Sequence, residues 1–216
     1  MATKSSGDVS AVLMRPQNAK GLYVLAHGAG AGMRHGFMET VADRLAGHGI
    51  ATFRFQFPYM EAGRKAPSPA PVLVKTVRSA VAEAARLAPD LPLVAGGKSM
   101  GGRMTSTAAA AEALPGVKGL AFLGFPLHAP GRESSERGAH LAAVKLPMLF
   151  LQGTRDKLAD LTLLRPLLAR VTPRPTLAVI EGADHSFHVL KRSGRTDGEV
   201  LDEICGTLSD WFLGLD

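Results

Sequence analysis

The stretch Gly96-Gly97-Lys98-Ser99-Met100-Gly101-Gly102 decides the fold. It contains the pattern Gly-x-Ser-x-Gly, centred on Ser99. It follows an apolar run, Leu91–Ala95, that predicts a strand, and opens an Ala-rich run, Met100–Leu114, that predicts a helix. A serine on so sharp a turn takes a strained backbone conformation that projects its hydroxyl above the sheet. Glycines two residues to either side leave room where those positions approach each other. The pattern therefore predicts that Ser99 is a nucleophile.

The rest of the chain alternates between short apolar runs typical of strands and longer Ala- and Leu-rich runs with helical spacing. Such alternation predicts parallel strands joined by helical crossovers. We therefore expect an α/β fold with a mostly parallel central sheet of about seven strands, helices on both faces, a single domain over residues 1–216 and no lid domain. The other predicted strands are Val9–Met14, Gly21–Ala26, Ile50–Phe55, Val117–Leu123, Leu146–Gln152 and Thr176–Ile180. The other predicted helices are Phe37–His48, Val72–Ala88, Leu158–Val171, which Pro166 is expected to kink or divide, and Thr196–Leu213.

Two predicted loops are long for a compact domain. Gln56–Pro71 contains four prolines, and Phe125–His140 is polar and basic. Both follow the carboxyl ends of predicted strands, the edge at which open α/β sheets carry their sites. We expect these loops to shape the mouth of the site, with Phe57, His128 and Arg132 as the candidate substrate contacts.

A nucleophilic serine needs a base, and the base needs an acid that orients it. In sites built on this kind of turn, the acid and then the histidine follow the serine along the chain. Asp156 ends a Gly-x-x-Asp turn after the strand Leu146–Gln152, and His185 lies in the loop after the strand Thr176–Ile180. These positions predict that Asp156 fixes the tautomer of His185, which takes the proton from Ser99.

Other residues compete for the same two roles. Asp160, one turn into the next predicted helix, and Asp184, beside the histidine in sequence, are alternative acids. His188 is the alternative base. Asp156 and His185 are preferred because they are better placed relative to the ends of their strands.

Negative charge that develops on a substrate oxygen needs two backbone amides as donors. One is expected from Met100, the residue after the nucleophile. The other is expected from the glycine-rich turn His27–Gly32, with Ala29 preferred and Gly30 second. A turn of this kind can also cradle phosphate, but no Lys-Ser/Thr follows its glycines and Arg54, not an acid, ends the next strand.

Composition excludes several classes of protein. Of the 216 residues, 46% are apolar and 20% charged, which is ordinary for a globular protein, and no apolar run reaches the roughly 18 residues of a membrane span. The first residues do not resemble a secretory signal. The one cysteine, Cys205, is expected to be a buried structural thiol on the last helix. We expect a cytoplasmic monomer or homodimer that needs no metal or cofactor and binds neither membrane nor nucleic acid.

The net charge of +6 is compatible with an anionic partner, but a composition rich in arginine accounts for it better. Many basic residues lie at the predicted carboxyl ends of strands or in the loops after them. We therefore hypothesise a small-molecule acyl substrate that carries a carboxylate or phosphate. The residues behind this hypothesis are Arg34, Arg54, Arg64, Lys65, Lys98, Arg103, Arg132, Arg137, Arg155, Lys157, Lys191 and Arg192.

Several motifs together resemble those of a known family. GGKSMGGR (Gly96–Arg103), QGTRD (Gln152–Asp156) and GADHSF (Gly182–Phe187) resemble α/β-hydrolases, in particular the small, lidless, dienelactone-hydrolase-like type. With RFQFPYMEAGRKAP (Arg54–Pro67) and GFPLHAPGR (Gly124–Arg132), they are similar to a predicted-hydrolase group that includes the hydrolase-like domain of a subunit of the chromatin NSL acetyltransferase complex. The resemblance covers roughly residues 9–213.

The resemblance implies that Ser99 is the nucleophile, Asp156 the acid and His185 the base. Dienelactone hydrolases use Cys at the nucleophile position, so the resemblance does not imply a lactone substrate. The sequence predicts a serine hydrolase that cleaves an ester, thioester or related acyl bond through an acyl-enzyme. The alternative is a non-catalytic interaction module on the same fold, because a fold does not by itself establish a function.

Overall fold

A computed structural model describes residues 2–3 and 7–215, with side chains from Asp8 onward. Its strands are β1 (Ala2–Thr3), β2 (Gly7–Asp8), β3 (Ala11–Met14), β4 (Gly21–Ala26), β5 (Ile50–Phe55), β6 (Leu93–Lys98), β7 (Val117–Leu123), β8 (Met148–Gly153) and β9 (Thr176–Ile180). Its α-helices are α1 (Gly36–Gly47), α2 (Pro58–Glu61), α3 (Ala70–Leu87), α4 (Met100–Ala111), α5 (Leu161–Leu168) and α6 (Asp197–Leu213). Short 3₁₀ helices cover Glu136–Ala143 and Lys191–Ser193.

Strands β3 to β9 form one sheet of seven strands in the order β3-β5-β4-β6-β7-β8-β9. Strand β3 runs antiparallel to β5 at one edge, and every other neighbouring pair is parallel. The predicted α/β fold with its mostly parallel sheet is confirmed. The carboxyl ends of β4, β6, β8 and β9 lie at the same edge, because parallel strands share a direction, and the segments that follow these ends carry the predicted site residues.

Helices cover both faces of the sheet, which explains why the central strands are apolar throughout instead of alternating. In β4, Leu22 and Val24 belong to the core under α3, α4 and α5, whereas Tyr23 and Leu25 belong to the core under α1 and α6. Cys205 of α6 is buried in the second core, as predicted. Successive side chains of a strand point to opposite faces, so a strand covered on both sides needs apolar residues at every position.

Local chemistry moves several boundaries from where periodicity predicts them. Helix α5 is shorter than the predicted helix, because the side chain of Asp160 accepts the backbone N–H of Thr162 and caps the helix there, and the helix ends two residues after Pro166. The proline-rich segment 56–71 is not all loop. Pro58 begins the short helix α2 and Pro71 lies in the first turn of α3, positions that suit the fixed φ of proline.

In the described part of the chain, no helix is both long enough and apolar enough to cross a membrane.

Candidate active site

Ser99 occupies the turn between β6 and α4 with a strained backbone. Its φ of 51° and ψ of −119° lie where side chains other than glycine are rarely found. The turn is held from both ends: Ser99 N–H donates to the Leu123 carbonyl at 3.1 Å, and its own carbonyl accepts from Arg103 N–H at 3.1 Å. The strain is what the sequence motif predicts for a serine whose hydroxyl must stand above the sheet.

The glycines of the motif are required by strand β4. A Cβ at Gly97 would lie 2.2 Å from the carbonyl oxygen of Ala26, and a Cβ at Gly101 would lie 2.4 Å from the same atom. The clash expected between the two glycines is therefore a clash of each with the end of β4. The reason is geometric: β6 pairs with β4, and the first turn of α4 folds back over the end of the same strand.

The structure brings Ser99, His185 and Asp156 into one hydrogen-bonded chain. Nε2 of His185 lies 2.8 Å from Oγ of Ser99, and Nδ1 lies 2.7 Å from Oδ2 of Asp156. The Asp156 side chain is fully buried, whereas the His185 side chain is 24% exposed. A carboxylate only accepts hydrogen bonds, so Nδ1 carries the proton and Nε2 is free to accept the proton of Ser99. The arrangement can activate a serine hydroxyl for attack.

Gln152 orients the acid, a role that sequence reasoning missed. Its side-chain amide donates from Nε2 to Oδ2 of Asp156 at 2.5 Å and accepts at Oε1 from Phe125 N–H. The other oxygen of Asp156 accepts Leu158 N–H at 2.7 Å. A signal was available, because a fully buried glutamine at the end of an apolar strand needs polar partners.

Lys98 fastens the loop that carries the histidine, another role without a sequence prediction. Its ammonium donates to the His185 carbonyl at 2.5 Å and lies 5.8 and 5.4 Å from the ring centroids of Phe37 and Phe187. Burial lowers the pKa of Lys98 to about 8, while the charges of Asp156 and Asp184 act in the opposite direction. A cation close to two aromatic rings stabilises the loop as long as it stays charged.

The structure does not bring the alternative acids and base to Ser99. Asp160 caps α5, and Asp184 accepts the backbone N–H groups of Ser186 and His188 within its own loop. The ring of His188 lies against Asp197 at 2.9 Å.

Ala29 and Met100 line a cavity together with Ser99. Met100 is the first residue of α4, where the backbone N–H has no partner within the helix. Among the described residues, no acceptor pairs with the N–H of either Ala29 or Met100. Both amides are therefore available to an oxygen that binds beside Ser99.

His27 shapes the turn that carries Ala29. The ring is fully buried, its Nε2 accepts Phe57 N–H at 3.0 Å, and its Nδ1 donates to the Gly28 carbonyl at 2.8 Å. Burial lowers the pKa of His27 to about 4, so the ring is neutral at neutral pH. A proton added to Nε2 would face the donor of Phe57 and break the contact between the two loops.

Stability should therefore fall in mild acid. Between the ordinary pKa of 6.5 and the folded value of about 4, the unfolded chain binds a proton that the folded chain does not. The free energy of unfolding should drop as pH falls through this window, by on the order of 3 kcal/mol in total. Urea unfolding at several pH values measures the drop. It should shrink by that amount in His27→Gln, where the loss due to the partly buried His140 remains because burial lowers the pKa of that ring too, and it should be unchanged in His48→Gln, which changes an exposed histidine. An equal drop in His27→Gln would contradict the assignment.

The three predicted substrate contacts do not line the cavities at Ser99. Phe57 is fully buried and packs edge-on against His27, because the aromatic ring is more stable in the core than at the mouth. His128 is also buried, and its Nε2 accepts Asp160 N–H at 3.0 Å. Arg132 is exposed on its loop.

Two cavities meet at Ser99 and share Ala29 and Leu158 in their walls. The first, of about 490 Å³, also contains Lys98 and His185, and its remaining walls are Gly28, Ala31, His35, Phe37, Met38 and Ser186. The second, of about 410 Å³, contains Met100 and otherwise consists of Pro67, Ser68, Ala70, Leu73, Arg103, Met104, Pro126, Ala129, Pro130 and Arg137. Ser99 therefore lies at the junction of two spaces, each of a size that holds a small organic group.

Comparison with known proteins agrees with the fold. The family model described as Alpha/beta hydrolase domain matches residues 19–213, and the chain belongs to that family. It is an α/β-hydrolase, as its motifs predict, and it shares its fold with lidless and dienelactone hydrolase structures. The particular likeness to the NSL-subunit group stays a prediction.

Solved structures share the fold over nearly the whole chain. Dienelactone hydrolase from Anabaena variabilis is 20% identical, with a TM-score of 0.77 over 99% of this chain and 94% of that chain. A lidless α/β serine hydrolase from Xanthomonas campestris is 20% identical, with a TM-score of 0.73 over 97% and 90%. Est1E from Butyrivibrio proteoclasticus, solved with ferulic acid bound, is 18% identical, with a TM-score of 0.69 over 92% and 94%. At these identities the likeness shows the fold alone.

Proposed function

We propose that this hydrolase is a serine enzyme that cleaves an ester, thioester or related acyl bond through a covalent Ser99 acyl-enzyme. The observation that carries the proposal is the unbroken chain of hydrogen bonds from Ser99 through His185 to the buried Asp156. A strained serine, a base in the right tautomer and two free amides beside it form the set of groups that acyl transfer needs.

Acylation begins when Oγ of Ser99 attacks the acyl carbon and His185 takes its proton at Nε2. The carbonyl oxygen gains negative charge, and the N–H groups of Ala29 and Met100 donate to it. When the tetrahedral intermediate collapses, the bond to the leaving group breaks and His185 returns the proton to the leaving oxygen or sulfur. Asp156 stabilises the imidazolium in between without accepting the proton itself.

Deacylation repeats these steps with water as the nucleophile. His185 takes a proton from water, the hydroxide attacks the acyl carbon, and the proton passes to Oγ of Ser99 as the bond to the serine breaks. The carboxylic acid leaves and the enzyme returns to its starting state. Every group in this cycle comes from the chain's own side chains, from the backbone amides of Ala29 and Met100, or from water.

A fluorophosphonate probe tests the nucleophile directly. It phosphonylates an activated serine, and we expect one adduct on the wild-type protein, located to Ser99 by mass spectrometry of the peptides. Ser99→Ala should lose the adduct, and Ser79→Ala, which removes a serine of α3 outside the site, should keep it. A folded wild-type protein without an adduct would instead favour the non-catalytic interaction module. A panel of esters and thioesters of graded chain length then identifies the bond that is cleaved.

A further inference from the structure

The positions of His185 and the two cavities decide where each half of a substrate binds. His185 must deliver a proton to the leaving group, so the leaving group lies on the side of Ser99 where the imidazole is. His185 lines the first cavity and is absent from the walls of the second. The acyl chain extends away from the leaving group, and the space on that side is the second cavity.

The second cavity presents positive charge without a counter-charge. Arg103 and Arg137 line it, and no Asp or Glu of the described residues does. Neither arginine has a carboxylate within ion-pair distance in the described part of the chain, whereas Arg15, Arg44 and Arg78 each have one. Nε of Arg103 is buried without a hydrogen-bond partner. Burial, and then the neighbouring charge of Arg137, lower the pKa of Arg103.

Arg103 is partly buried and Arg137 is exposed, and two like charges that line one cavity repel each other unless something offsets the repulsion. A ligand carboxylate would do so, because its two oxygens match the paired donors of a guanidinium. Arg103 lies one helical turn after Ser99, and helical side chains lean toward the N-terminus of their helix. The distance from the acyl carbon to the charged group is therefore short.

The first cavity lacks this free charge. Its one lysine, Lys98, already donates to the His185 carbonyl, and Phe37 and Met38 contribute apolar wall. A neutral leaving group fits this side of Ser99. The two sides of the site thus differ in the charge they accept.

We propose that the second cavity is an acyl subsite in which Arg103 and Arg137 bind a carboxylate at the far end of the acyl group. The substrates are then monoesters or monothioesters of short dicarboxylic acids with a neutral leaving group. This inference rests on the proposed function, because it takes Ser99 and His185 as nucleophile and proton donor.

Two matched pairs of esters test the charge and its side. The first pair is the 4-nitrophenyl monoester of glutaric acid, with its free carboxylate on the acyl group, and 4-nitrophenyl valerate. The second pair places the charge on the leaving group instead. Its members are 4-(valeryloxy)benzoic acid, whose leaving group carries a carboxylate, and methyl 4-(valeryloxy)benzoate, whose leaving group is neutral. We expect kcat/KM to favour the glutarate by about tenfold, a preference that shrinks as added salt screens the charges, and we expect no preference for the charged leaving group.

Arginine variants link the preference to the cavity. In Arg103→Gln and in Arg137→Gln, the ratio of kcat/KM for glutarate to that for valerate should fall toward one. Arg137 is exposed, so its variant has little effect on folding. Arg170→Gln, an exposed position outside both cavities, makes the same change in net charge and should keep the wild-type ratio.

The outcomes separate the two proposals. Ser99-dependent hydrolysis of valerate without a preference for glutarate, or a preference unchanged in both arginine variants, overturns the subsite and leaves the proposed function standing. A stronger preference for the charged leaving group overturns the assignment of the two sides. A protein that hydrolyses none of the esters overturns the proposed substrate class, and one that also forms no fluorophosphonate adduct at Ser99 overturns the proposed function as well.

Discussion

Ser99→Ala should lower kcat for a good ester substrate by a factor on the order of 10⁵ to 10⁶, a loss seen when a serine nucleophile is removed from a comparable triad. The substitution deletes the one atom that can form the acyl-enzyme and leaves its surroundings in place. The rate enhancement that the variant retains comes from binding the substrate beside the Ala29 and Met100 amides. Turnover measured by product formation, at equal concentrations of folded protein, gives the comparison.

His185→Ala should cost nearly as much, and the double variant hardly more than either single one. The serine hydroxyl attacks only while the imidazole takes its proton, so removing either group ends the same step. Independent contributions would multiply instead, and a double variant slower by the product of the two losses would contradict the shared role. Wild-type turnover in Ser99→Ala, purified free of other esterases, would falsify the assignment of the nucleophile. Ser79→Ala serves as the control for handling and purity.

Sequence periodicity was sufficient for most of the fold because burial on both faces leaves a strong signal. Strand β4 reads as a continuous apolar run, and the predicted and observed ranges, Gly21–Ala26, are the same. The ends of α5 and the helices within segment 56–71 are harder to predict from periodicity. Their positions are set by single side chains, the cap of Asp160 and the prolines in first helical turns. Periodicity reports which face is buried and carries little information about where a helix stops.

In the candidate site too, some residues are predictable from sequence patterns and others depend on how individual side chains pack. Chain order and strand ends predicted that Ser99, Asp156 and His185 come together, and in the structure His185 lies within hydrogen-bond distance of each of the other two. Substrate contacts were not accessible in this way. Whether Phe57 turns into the core or toward the mouth depends on how its loop packs against His27, which no local pattern encodes.

The basic residues show which part of a site topology can predict. Topology places the backbone of many arginines at the carboxyl edge of the sheet, but it does not say where their side chains point. Only the packed structure shows which of their side chains enter the cavities at Ser99, and these are Lys98, Arg103 and Arg137. Lys98 is already engaged by the His185 carbonyl, which leaves the two arginines for a ligand.

Asp156→Asn should lower kcat by about 10⁴-fold although it changes a single atom, because it reverses the tautomer of the base. The amide oxygen of the asparagine would accept Leu158 N–H, which leaves its NH₂ group facing two donors, Gln152 Nε2 and His185 Nδ1–H. His185 relieves the conflict by moving its proton to Nε2. That nitrogen can then no longer accept the proton of Ser99.

Asp160→Asn is the matched control for this change. Asp160 is the competing acid in the sequence, but in the structure it caps α5, a role that asparagine fills equally well. Its variant should keep turnover within about twofold, because less than ~0.5 kcal/mol separates the two caps. Steady-state rates of both variants, compared at equal folded fraction by circular dichroism, settle which carboxylate orients the base. A large loss of turnover in Asp160→Asn with a small loss in Asp156→Asn would show that Asp160 is the acid. The tautomer argument applies only to the carboxylate that accepts His185 Nδ1–H.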